Sequence, residues 1–204
     1  MFVIFTMPNH NLLKVLYHEV GHFVAHEIIR RQLGVHGLEK IIIIPRGTDY
    51  EGQSVPLKPE GHRQDTDIQN HAELIVELFY GCFIQTIYIG DGYKGFSHCF
   101  EYPTGNGRED IEKCSYILNE FGTHKKRQVF ELIFQYCGQN LRDSNSLRSL
   151  LPSPVEMENY LISIDNEQYN IDLSRLQANS VDLITNLQAG LLQLIEKIRS
   201  ILIA

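Results

Sequence analysis

Clustered basic charge, closely spaced cysteines and long apolar runs are all missing from this sequence of 204 residues. Lys and Arg number 18 against 25 Asp and Glu, a net charge of -7, and the two signs are interspersed. Binding a phosphate backbone needs clustered Lys and Arg, so nucleic acid is not expected as a partner. The four cysteines (Cys82, Cys99, Cys114 and Cys137) form no CxxC pair. Zinc-ribbon and thiol-redox motifs are therefore unsupported, and no disulfide framework is expected at this length. The apolar opening Met1-Phe2-Val3-Ile4-Phe5 is too short for a signal core and lacks a basic flank. No run approaches the roughly 20 apolar residues that cross a bilayer, so no membrane span is expected. These absences together predict a reducing, cytoplasmic location.

What is present suits one globular domain over 1–204. Residues from about Asn11 to Leu33 read as one long helix, with Asn9 or Asn11 as its cap and Gly34 as its end. Its apolar residues, among them Leu12, Leu16, Val20, Phe23, Val24, Ile28 and Ile29, surround most of the circumference, which predicts a buried helix. Ile41-Ile42-Ile43-Ile44 followed by Pro45-Arg46-Gly47 reads as a strand and turn. Thr48 to Arg63 is rich in Gly and Pro and reads as loop, with one short strand at Gln53 to Leu57. A helix capped by Asp65 or Thr66 runs to about Ile89. Gly90 to Gly107, with its many glycines, reads as a long irregular connection. Further helices are expected at Glu109 to Phe121, at His124 to Leu141, after Pro152 and Pro154, and at Ser180 to Ile203. The expected class is α+β, mostly helical, with a small sheet and a helical part over 123–204.

The chemistry concentrates at His18-Glu19-Val20-Gly21-His22. Two histidines four apart on a helix project from one face, which suits two nitrogen ligands of a tetrahedral Zn²⁺. Glu19 then lies beside the ion's open position, where it can take a proton from water and deliver it to a leaving amine. On a helix this apolar, two imidazoles and a carboxylate without partners would cost several kcal/mol, a cost that a metal removes. Gly21 costs about 1 kcal/mol against alanine inside a helix, which implies close packing there. The residues themselves leave the third ligand open. His26 lies a further turn along the helix, Glu73 and Glu77 sit on the next long helix, and Glu109 and Asp110 open a later one. His98 and Cys99 are further candidates.

A larger pattern accompanies the motif. Tyr17 to His22, then Ile43-Ile44-Pro45-Arg46-Gly47, Leu78-Phe79-Tyr80-Gly81, and Thr104-Gly105-Asn106-Gly107-Arg108-Glu109-Asp110-Ile111 occur in one order. With Tyr116 to Gly122 behind them, these segments resemble the peptidase domain of the FtsH-type AAA zinc proteases. That family has HEAGH, an IIPRG strand and turn, a helix with a small-residue end and a TG…NDL segment. The resemblance covers about Leu13 to Gly122 and implies a zincin-like zinc-site region over 1–122. It implies Zn²⁺ held by His18, His22 and Asp110, with Glu19 as general base. It also implies that Ile41 to Ile44 is an edge strand pairing with substrate backbone. Three departures stand out. No ATPase module or membrane anchor is expected, the connection before Thr104 is longer, and Gln85-Thr86 stands where the family has an acidic pair.

The resulting expectation is a zinc-dependent endopeptidase acting on peptides or unfolded protein. A second reading is a non-catalytic adaptor or regulatory module that keeps the fold and the zinc. A third is a peptidase that works with a separate ATPase or as a homo-oligomer, docked through the apolar face of its last helix.

Overall fold

The computed structural model describes residues 9–33, 37–57, 67–101, 107–165 and 168–204. Its first element, α1 (His10–Leu33), is capped by Asn9, whose side-chain oxygen accepts from the Asn11 amide at 3.0 Å. As the encircling apolar pattern requires, α1 is buried from Val15 through Gly21 and again from Phe23 through Ile29. The antiparallel hairpin β1 (Leu38–Arg46) and β2 (Asp49–Pro56) follows. Its two-residue turn holds Gly47 at φ +65°, a conformation that favours glycine.

Next come α2 (Ile68–Ile89), α3 (Gly92–Glu101), α4 (Arg108–Asn119) and α5 (Thr123–Asn140). After a 3₁₀ turn, α6 (Ser144–Arg148) and α7 (Pro154–Asn159) lead into a second hairpin, β3 (Leu161–Asp165) and β4 (Gln168–Ile171). The chain closes with α8 (Leu173–Asn179) and α9 (Val181–Ile203). The four strands form one antiparallel sheet in the order β2-β1-β4-β3. The protein is thus mostly helical α+β with a small sheet.

The core is built on α1 crossing α2. A Cβ on Gly21 would overlap the Tyr80 carbonyl oxygen and lie 2.7 Å from the Gly81 Cα. The glycine in the motif is therefore what lets the two backbones meet. On the far side of α2, Phe79, Phe96, Phe134 and Tyr136 join edge to face, a geometry that suits aromatic quadrupoles. In α9, Leu183, Ile184, Leu187, Leu191, Leu194, Ile195 and Ile198 are all buried in this core. The apolar face expected to dock a neighbour is filled by the chain itself.

Several sequence expectations are corrected. The segment over 49–56 is strand rather than mostly loop, because the tight turn at Gly47 sets a hairpin whose alternate residues Tyr50, Gly52 and Ser54 face inward. Within the segment expected to be irregular, Gly92 to Glu101 is helical, with Phe96, Cys99 and Phe100 buried at helical spacing. Asp67 caps α2, its carboxylate accepting from the Gln69 amide at 2.9 Å; Asp65, Thr66 and the expected helix-ending Gly34 lie outside the described residues. The part over 123–204 is not purely helical, since β4 pairs with β1 at Ile42 and Ile43. That same pairing makes Ile41 to Ile44 an interior strand; the edge next to α1 is β2. Cys82 and Cys99 form a disulfide, while Cys114 and Cys137 are free and buried. The expectation of no membrane span is not among these corrections: one helix among the described residues, α2, is long and apolar enough to cross a membrane by length and composition, and 83% of its apolar window is buried here, as in a core helix.

Candidate metal centre and cleft

The i,i+4 spacing on α1 brings the His18 and His22 rings edge to face, with centroids 4.8 Å apart. Asp110, in the first turn of α4, reaches both. Its Oδ2 lies 2.9 Å from His18 Nε2 and 3.5 Å from His22 Nε2. One ligand atom from each of the three residues falls within 4.8 Å of the others. On its other side, His22 Nδ1 donates to the Glu77 carbonyl at 2.8 Å, which turns Nε2 toward Asp110. Gly81 gives the cluster its room: a Cβ there would stand 2.7 Å from His18 Nε2 and 2.8 Å from His22 Nε2.

The electrostatics follow from this burial. Burial alone would raise the Asp110 carboxyl, but its hydrogen bonds with His18 and His22 hold it well below the usual carboxylate range. Burial would lower His22, yet the hydrogen bond and charge of Asp110 raise it to about 9. The carboxyl of Glu77 is pushed up to about 8, by burial first and by neighbouring Glu73 next. Glu77 Oε1 lies 3.3 Å from His26 Nδ1.

Two imidazoles and a carboxylate converging on one small space are a donor set that suits zinc. The residues therefore fit the ion that the motif implies. A measurable consequence concerns protons. His22 carries one at neutral pH without metal, and coordination through Nε2 requires its loss. Zinc uptake at pH 7 is expected to release about one proton per ion, read as the buffer dependence of the calorimetric enthalpy; release of none would contradict the arrangement. The sign for stability follows too. The His22 value lies above its ordinary 6.5, so its pairing stabilises the metal-free fold fully below 6.5 and ceases to do so as pH rises through about 9.

Glu19 sits next to this cluster with its carboxylate under β2. Ser54 Oγ donates to Glu19 Oε2 at 2.5 Å, and a Cβ on Gly52 would come within 2.7 Å of Glu19 Cγ. A strand glycine often marks such a close approach, but the contact with Ser54 has no local sequence signal. The cluster opens into a cleft of about 620 Å³ between α1, β2, α2 and α4, whose lining includes Tyr50, Gln53, Leu78 and Arg108.

None of the other candidate ligands joins His18, His22 and Asp110 in one group. His26 and Glu77 border the cleft, Glu73 is buried and accepts from Gln69 Nε2, and Glu109 is exposed beside Lys113. Gln85, Thr86 and His98 line a different cavity. Cys99, with Cys82, forms a second group around His18. Of the segment resembling TG…NDL, Thr104, Gly105 and Asn106 lie outside the described residues. No family model matches the sequence, and comparison with curated proteins and with solved structures finds no match either.

Proposed function

We propose that the chain is a zincin-like, FtsH-type zinc endopeptidase domain that hydrolyses peptide bonds in peptides or unfolded protein. The observation that carries this reading is the convergence of His18, His22 and Asp110 beside a buried Glu19, all in one open cleft. The two histidines and Asp110 would hold the ion, and three protein donors leave a four-coordinate zinc one position to spare. When bound, zinc supplies Lewis acidity, polarising a carbonyl and acidifying water.

The remaining work falls to the chain. Ser54 fixes the Glu19 carboxylate through Oε2, so that Glu19 can take a proton from attacking water and carry it to the departing amine. β2 is an edge strand that faces α1 through Gly52 and Ser54. An extended substrate adds to that edge by backbone hydrogen bonds. Most strands of folded proteins are already paired or have shielded edges, which favours peptides and unfolded segments, delivered in the FtsH manner by a separate ATPase.

Expected results are hydrolysis of an unfolded protein by the zinc-loaded chain, its loss with a zinc chelator, and its return when zinc is restored. Hydrolysis that is indifferent to metal would overturn the assignment. A zinc-loaded chain that cleaves nothing would instead support a non-catalytic adaptor, the reading favoured by the uncharged, buried Gln85 and Thr86.

A further inference from the structure

Behind the metal centre, Cys82 on α2 and Cys99 on α3 are joined by a disulfide that lies against His18. A ring nitrogen of His18 and the two sulfurs all fall within 4.8 Å of one another. His18 is 6% exposed, and its Nδ1 is buried with no hydrogen-bond partner among the described residues. Cys82 is fully buried beneath Gly107, where a Cβ would overlap its sulfur. Cys99 lines a second cavity, of about 800 Å³, together with His10, Lys14, Gln85, Lys94 and His98. That cavity does not include His22 or Asp110, so the disulfide has its own approach, through a pocket bearing two lysines.

We infer that Cys82 and Cys99, once reduced, form with His18 a second site for a thiophilic metal ion, and that the disulfide closes this site. Reduction breaks the S–S bond; two molecules of a small thiol supply the two electrons and two protons and leave as their own disulfide. The freed sulfurs then bind a divalent ion as thiolates, releasing two protons to solvent. Donors on a tetrahedral zinc stand about 3.5 Å apart, so a group already within 4.8 Å needs only small side-chain adjustments. Two thiolates and an imidazole suit zinc and other soft ions. His18 belongs to both sets, so the oxidation state of the pair decides which donors compete for the ion. The inference shares His18 with the peptidase reading but does not need hydrolysis.

Cobalt(II) titration of the whole chain tests it. The reduced protein is expected to show an intense near-ultraviolet thiolate-to-cobalt absorption, which the oxidised protein lacks. In Cys99→Ser that absorption should fall at least fivefold, with circular dichroism checking the fold. Comparing the oxidised and reduced wild type needs no variant. Visible cobalt bands without thiolate absorption in the reduced chain would overturn this inference and leave the peptidase reading standing. Thiolate absorption together with an oxidised, zinc-loaded chain that cleaves nothing would overturn the peptidase reading alone.

Discussion

Glu19→Gln is expected to lower kcat for peptide hydrolysis by about a thousandfold while zinc affinity changes little, since a positioned general base contributes about 10²–10⁴. The amide keeps the size of the carboxylate and can still accept from Ser54, whose hydroxyl rotates freely, so the wall of the cleft should hold its shape. What disappears is the basic oxygen. Measuring kcat beside zinc content separates this from loss of the metal. Equal kcat in both proteins at equal zinc content would show that Glu19 does not carry the proton.

Gly21→Ala should destabilise the fold by about 2 kcal/mol, two opposing effects giving that sign. Alanine gains about 1 kcal/mol of helix propensity over glycine, which taken alone would stabilise α1. Against it, the new Cβ meets the backbone of α2 at Tyr80 and Gly81 rather than the end of a mobile side chain. Overpacking of this kind costs about 1–3 kcal/mol when the surroundings can shift, and here the obstacle is a helix backbone in the centre of the core. For a chain of this size the net change lowers the midpoint of thermal unfolding by about 4–8 °C. An unchanged or raised midpoint would mean that α1 and α2 can move apart without penalty. The same crossing sets the distance from α1 to Gly81, so zinc affinity should fall along with stability.

Much of the candidate site is legible in the sequence because its spacing is local. His18, Glu19 and His22 lie within two helical turns, and the encircling apolar pattern of α1 correctly announced its burial. Asp110 was one candidate among several from its residue type alone, since nothing in a linear sequence says which helix start will fold back onto α1. Ser54 and Gly52 carry no local signal of their role, for a related reason. Their contact with Glu19 spans more than thirty residues and depends on the register of the first hairpin, which the turn at Gly47 sets. The cysteine pair is hidden by α3: Gly92 and Gly95 weigh against a helix and so mask the helical spacing of Phe96, Cys99 and Phe100. The second hairpin leaves little periodic signal in the sequence, because β3 and β4 are only five and four residues long.

That second hairpin also imposes an order on biosynthesis. Ile43 of β1 must wait for Tyr169 of β4, about 126 residues further along the chain. At translation rates of about 5–20 residues per second, β1 spends roughly 6 to 25 s with an apolar edge open to whatever strand arrives first. Its nearest competitor is the β1 edge of a neighbouring nascent chain on the same message. High-level expression should therefore favour intermolecular pairing, and slowing initiation should raise soluble yield more than slowing elongation.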